Sequence, residues 1–279
     1  MLEKLGLGTV QFGQAYGVSN TRGQVSADDA ATILNRAANA GIGLLDTAAN
    51  YGEAEAVLAR LNTSPFRIVT KTMGLKHGLD AVIARARQSA ALLNADTLLV
   101  HAASDLQGRD GEALWAALCG LRAEGIFRKI GISVYAADDP AKFAARFRPD
   151  VMQLPFSLLD QRLLRDGTLA RLHQLGVEIH ARSLFLQGLL FLDPLPKKLH
   201  RAAQNLTRIR TELRKADTTP MAAALGFVLS RPEIAFGLAG VTTPKELDDI
   251  IASAQSPLPD LDWNSFALDD EMVLTPSLW

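Results

Sequence analysis

Apolar residues along this chain fall into short runs that alternate with longer amphipathic stretches. The runs are Leu5–Thr9, Leu44–Asp46, Ile68–Lys71, Leu98–Val100, Ile130–Ser133, Val151–Leu154, Val177–Ala181 and Ala235–Ala239. Short apolar runs of this length read as buried strands. Helical patterns lie between them near Ala27–Asn39, Glu53–Leu61, Leu79–Leu93, Gly111–Glu124, Pro140–Arg146, Leu163–Leu175, Met221–Ser230 and Pro244–Ser253. Ser26 precedes the first of these with Asp29 three residues on, a capping signal. Gly41, Gly125 and Gly176 follow helical stretches, where a left-handed terminator is expected. Repeated strand–helix alternation implies a parallel sheet. Eight units in 279 residues favour a closed (β/α)₈ TIM barrel over an open doubly wound sheet. One barrel domain over residues 1–279 is the expectation.

Two stretches interrupt the alternation. Leu199–Lys215 is an extra basic amphipathic segment. It has the look of a nucleic-acid or membrane helix, but the reading adopted is a solvated helix on a long βα loop. The tail Leu258–Trp279 follows the last helical pattern and carries Trp263 and Trp279.

Composition narrows the class. Hydrophobic residues make up 48% and charged residues 21%, enough for a large core and too apolar for disorder. The net charge of −1 gives no electrostatic case for nucleic acid or an anionic membrane. The most apolar late stretch, Ser183 to Leu195, is interrupted by Gln187, Gly188, Asp193 and Pro194, so it is too short and broken to span a bilayer. Met-Leu-Glu-Lys at the start leads into glycines rather than an apolar segment, so no signal peptide is expected. The lone Cys119 cannot form an intrachain disulfide, which is compatible with a reducing cytoplasm. It is read as core filler. Cytoplasmic localisation and the absence of a metal site are the corresponding expectations.

The polar residues that close the apolar runs carry the chemistry. Asp46 ends one run, Tyr51 follows in the next turn, Lys71 ends the third run and His101 follows the fourth. In a barrel, the C-terminal ends of the strands converge on one mouth. A Tyr hydroxyl is a poor acid, with a reference pKa of about 10. A neighbouring Lys ammonium favours its phenolate, and an Asp would fix the Lys. The result is a general acid for a developing alkoxide. His101 can hydrogen-bond the same oxygen. A structural ion pair would explain Asp46 and Lys71, but not Tyr51 beside them.

In this order, Asp46, Tyr51, Lys71 and His101 resemble the catalytic tetrad of the aldo-keto reductase superfamily. Gly6-Leu7-Gly8-Thr9, Gly131-Ile132-Ser133, Gln153 and Gly240-Val241-Thr242-Thr243 are further matches, and the likeness runs from about Leu5 to Ser253. The resemblance implies hydride transfer between a nicotinamide cofactor and a small carbonyl compound or sugar. No side chain can supply a hydride, so a cofactor is required. The spacing of Gly6, Gly8 and Gly13 is wrong for a Rossmann fingerprint. Barrels instead hold phosphate on late loops near a helix N-terminus. The resemblance puts Ser133 and Gln153 at the nicotinamide carboxamide. It puts Ser183, Gln187 and Gly188 at the pyrophosphate and Phe185 close to the position that stacks on the nicotinamide, with Thr9, Gly240, Thr242 and Thr243 completing the cofactor site. It also implies that the C-terminal tail can reach over the mouth, while packing of Trp263 on the barrel wall stays equally open.

The chain departs from the family pattern at several positions. Val134 replaces the Asn that usually follows the Ser. Arg182 stands where an aromatic commonly stacks on the nicotinamide. Glu246 stands where a basic residue often meets the adenosine 2′-phosphate, with Lys245 turned about 100° away on a helix. Ile250 replaces an adenine-binding Asn. NADP(H) is the cofactor the family implies, with NAD(H) also usable here because of Glu246. Two other readings stay open: a Schiff-base aldolase using Lys71, and a redox-sensing subunit that binds cofactor with little turnover.

Overall fold

The structure is a computed structural model. It describes residues 1–279, apart from the side chain of Ser277. Eight strands, β1 (Leu5–Gly8), β2 (Leu44–Asp46), β3 (Arg67–Lys71), β4 (Thr97–Val100), β5 (Lys129–Ser133), β6 (Val151–Pro155), β7 (Glu178–Arg182) and β8 (Ile234–Gly240), are present. They pair in parallel in sequence order, and β8 closes back on β1. The expected barrel is therefore found, with strand ends within a residue or two of the apolar runs.

Alternation along the strands sets what each residue faces. Leu44, Val69, Leu99, Val151 and Leu238 form a small apolar cluster of their own. Their neighbours Leu45, Ile68, Leu98 and Met152 belong to the larger core between barrel and helices. One set fills the barrel and the other faces outward. The next inward position above the filling layer is two residues further along each strand. Those positions are Asp46, Lys71, His101, Gln153 and Gly240. A period of two, applied to five strands, thus delivers most of the mouth.

The helices cover the outside. Ala27–Asn39 begins at Ser26, whose side chain accepts from the Asp29 amide at 3.1 Å, a cap typically worth about 1 kcal/mol. It buries Ala30, Ile33, Leu34 and Ala37, one face at the 3.6 period. Burying a side chain such as Ile33 contributes roughly 1.5–3 kcal/mol. A single expected helix over Leu163–Leu175 is instead two, Arg162–Arg165 and Thr168–Gln174. The break is at Gly167, whose φ of 80° leaves the helical region.

The extra segment is a 3₁₀ turn, Lys197–Ala202, running into a helix over Ala203–Lys215. It buries Leu206, Ile209 and Leu213, so its apolar face packs on the protein and its basic residues lie outside. Arg210 donates to the carbonyl of Leu192 at 2.6 Å. The tail packs on the barrel wall. Trp263 lies against Phe227 and Phe266, at ring distances of 6.1 and 5.6 Å, and Trp279 donates to the Met272 carbonyl at 2.9 Å. No helix among the described residues is long and apolar enough to cross a membrane.

Candidate active site

The mouth opens into a cavity of about 590 Å³, well within the range of ligand pockets. At its base Lys71 is 1% exposed. Its Nζ donates to Asp46 Oδ2 at 2.7 Å, the Thr47 carbonyl at 3.0 Å and the Tyr51 hydroxyl at 3.3 Å. Burial disfavours the ammonium, but Asp46 and Tyr51 outweigh it and the Lys71 pKa is raised. Asp46 is held on its other side as well, because Gln153 Nε2 donates to Oδ1 at 2.7 Å. Both carboxylate oxygens are therefore fixed. Removing one member of such a buried pair costs far more than the pair contributes.

Tyr51 reaches this pair from a loop that the first strand's own loop clamps. A Cβ on Gly13 would sit 1.8 Å from the Tyr51 carbonyl, and one on Gly52 would sit 2.4 Å from the Gly13 carbonyl. Only two glycines allow the loops this close. They explain Gly13 without any nucleotide fingerprint. His101 stands edge-on to Tyr51, with ring centroids 5.7 Å apart. Burial first, then the Lys71 cation, push the His101 pKa down to about 4. The ring is therefore neutral at physiological pH, and its Nδ1 is buried with no hydrogen-bond partner.

The rest of the cavity runs toward the ends of β7 and β8. Ser133, Gln153, Ser183, Phe185, Gln187, Gly188, Gly240 and Thr242 line it together with Asp46, Tyr51 and His101. The loop after β7 is strained: Ser183, Leu186 and Gln187 all have positive φ, at 62, 46 and 53°. Such conformations cost about 1–3 kcal/mol each and cluster at ligand clamps. The loop after β1 braces it. Ser19 donates to the Gln187 carbonyl at 3.2 Å, and Gln187 Nε2 donates to the Tyr16 hydroxyl at 3.2 Å.

Two expected residues do not line the cavity. Thr9 is fully buried and donates to the Asp46 carbonyl at 3.0 Å, so it stitches β1 to β2. Thr243 caps the helix Pro244–Ala254, its hydroxyl accepting from the Glu246 amide at 3.1 Å. The C-terminal tail contributes nothing to the cavity among the described residues. Gln11, Tyr16, Asn20, Tyr135 and Met221 line it and were not foreseen. Four of these come from βα loops whose polar residues have no period to read. Arg182 lies on Tyr135, 4.3 Å from the ring centre, and donates to the Val134 carbonyl at 3.0 Å. Two of the four positions that depart from the family pattern, Val134 and Arg182, are thus joined in one contact.

Two features suit a ligand that fills this cavity: Gln11 Oε1 and His101 Nδ1 are buried without partners. A Cβ on Gly240 would fall 2.7 Å from the Gln11 amide, so the bare backbone there makes room for the Gln11 side chain. No group of His, Cys, Asp or Glu among the described residues could hold a metal.

The chain belongs to the aldo/keto reductase family, whose pattern it matches over residues 4–267. No curated protein matches it in sequence. Its fold is similar to that of aldo-keto reductase AKR11C1 from Bacillus halodurans. In the holo form the TM-score is 0.74 at 18% identity, covering 99% of this chain and 93% of that one; in the apo form it is 0.71 at 19% identity, with the same coverage. The structure of PA4992 from Pseudomonas aeruginosa is also similar, with a TM-score of 0.65, 21% identity and coverage of 90% and 89%.

Proposed function

We propose that this chain catalyses reversible hydride transfer between a nicotinamide dinucleotide and a small carbonyl compound or sugar. The observation that carries the reading is the Lys71 ammonium, hydrogen-bonded at once to Asp46 and to the Tyr51 hydroxyl at the base of the cavity. The bound nicotinamide would supply the hydride. Tyr51 delivers a proton to the substrate oxygen in reduction and takes it back in oxidation. Lys71 holds positive charge beside that phenol, and Asp46 and Gln153 hold Lys71 in place. His101, neutral and facing the same space, orients the substrate oxygen. Ser133 and Gln153 would meet the carboxamide. Ser183, Gln187 and Gly188 would meet the pyrophosphate, with Phe185 on the cavity wall beside them, and Gly240 and Thr242 would meet the adenosine end. With its amide nitrogen committed to Asp46, Gln153 offers its carbonyl oxygen.

A Schiff base at Lys71 needs a neutral amine. The raised pKa and the carboxylate partner work against it. The test is multiple-turnover oxidation of reduced dinucleotide with a panel of aldehydes, ketones and sugars. Turnover that disappears in Tyr51→Phe supports the reading. Stoichiometric binding with no turnover on any member would favour a sensor instead.

A further inference from the structure

We propose that this chain takes NAD(H) in preference to NADP(H), because its own Glu246 carboxylate fills the polar groups that a 2′-phosphate would need. The inference rests on the oxidoreductase reading above and concerns the far end of the same cavity.

Thr242, Glu246 and Ile250 recur at intervals of four around the start of the helix Pro244–Ala254, and all three line the cavity. This spacing puts them on one face. In barrels, the loop after the last strand and the following helix N-terminus form the usual phosphate site, with free amides and a positive dipole end. Here those groups are taken. Glu246 Oε2 accepts from the Thr242 amide at 2.6 Å and Oε1 accepts from the Thr242 hydroxyl at 2.9 Å. A carboxylate bridging an amide and a hydroxyl occupies the place that two phosphate oxygens would occupy.

The nearby cations cannot offset it. Lys245 holds Asp249 through contacts of 2.9 and 3.0 Å, about 100° around the helix from Glu246. Arg36 reaches the helix start but is paired with Asp248. No Lys or Arg lines the cavity beside Glu246; among the described residues the one lining cation is Arg182, at the mouth of β7 beside Tyr135. A phosphate dianion would therefore meet the negative charge of Glu246 and no unpaired cation beside it. A ribose with its 2′-hydroxyl free meets an acceptor. Glu246 is exposed, so solvent moderates the repulsion, and the expected discrimination is about tenfold rather than thousands.

The experiment is direct titration of the intact chain with NAD⁺ and NADP⁺, followed by intrinsic fluorescence or calorimetry, at low and high salt. It includes wild type, Glu246→Gln and Glu246→Arg. The expected result is NAD⁺ bound about tenfold more tightly by wild type. The gap should narrow in high salt, because screening weakens repulsion between exposed charges. Glu246→Gln should bring the two affinities close together, and Glu246→Arg should reverse the order. A wild-type preference for NAD⁺ of less than about threefold, or any preference for NADP⁺, overturns the proposal. So does an unchanged ratio in Glu246→Arg, since the discrimination would then lie elsewhere. Binding of neither dinucleotide would overturn the oxidoreductase reading itself, an outcome distinct from tight binding with the wrong preference.

Discussion

The barrel carries a charged cluster at each end, and the one at the C-terminal ends of the strands opens onto the cavity of about 590 Å³. Above the filling layer lie Asp46, Lys71 and His101. At the opposite end of the barrel, at the starts of β3, β5 and β7, lie Arg67, Lys129 and Glu178. At this floor Glu178 is held by Arg67 at 2.9 Å, by Lys129, and by His180 at 2.8 Å. Arg67 also meets Asp96 at 3.3 Å and covers the Phe236 ring at 5.5 Å. Burial alone would raise the Glu178 pKa, but these three donors outweigh it and hold it well below the usual carboxylate range. Every charge there ends on another charge. At the mouth, the Asp46–Lys71 pair leaves a phenol and a neutral imidazole on the cavity wall, and Gln11 Oε1 lies nearby, buried and unpartnered. Perturbed ionisable groups mark both ends, so perturbation alone does not find a site. The floor also holds one unmatched atom, His180 Nδ1; what distinguishes the mouth is that its unmatched groups belong to residues lining a cavity.

Substitutions at the two ends should therefore separate activity from stability. The largest effect belongs to Tyr51→Phe. It removes one oxygen at the mouth, and turnover should fall roughly 10²–10⁴-fold while dinucleotide affinity stays near wild type. Steady-state rates paired with a binding titration check this. Retention of most of the turnover would remove Tyr51 as proton donor.

Lys71→Met should be the most destabilising. It leaves Asp46 buried without its cation, at a cost of roughly 3–5 kcal/mol, read by urea denaturation. At the floor, Glu178→Gln should cost less, roughly 1–3 kcal/mol, because its partners keep some solvent. If the two variants proved equally stable and equally active, the contrast between the ends would fail.

Acid should expose the ends in different pH windows. His101 in the folded chain takes a proton only near pH 4, whereas an unfolded His does so near about 6.5. Its contribution to stability is therefore present above about 6.5 and lost as pH falls toward 4. Glu178 has a depressed folded pKa, so its contribution is present above the unfolded value of about 4.3 and drains away below that. Denaturation curves across this range should show a slope that His101→Gln removes in the upper window. Glu178→Gln should remove the slope in the lower one. A wild-type stability that stays flat from pH 7 to about 4.5 would contradict the His101 assignment.

The smallest functional effect is expected on the wall. Trp263→Ala should lower stability by roughly 1–3 kcal/mol and leave KM within about twofold. A large rise in KM would mean that the tail reaches the mouth after all.

Much of the fold was legible because the strand runs end where their charged residues begin. Asp46, Lys71 and His101 each stand one period above an apolar residue that fills the barrel, and alternation alone puts them at the mouth. The missed features depend on contacts between distant segments. Thr9 has the residue type of a binding group, but its hydroxyl closes β1 onto β2. Gln153 sits at the expected place, yet its amide nitrogen reaches across the barrel to Asp46. Gln11 and Tyr16 come from a loop with no period, and its path is set by Gly13 against Gly52. The helix break at Gly167 turns on one residue's φ, which a helical pattern of apolar residues does not report.

The most direct test is turnover per folded molecule for Asp46→Asn and Glu178→Gln, measured side by side in one aldehyde-reduction assay. Each removes one carboxylate charge from one cluster and keeps the side chain's shape. The account predicts a loss of at least about tenfold for Asp46→Asn, because Lys71 loses its anchor beside the proton donor, and none for Glu178→Gln. Equal losses at both ends, or an unaffected Asp46→Asn, would contradict it.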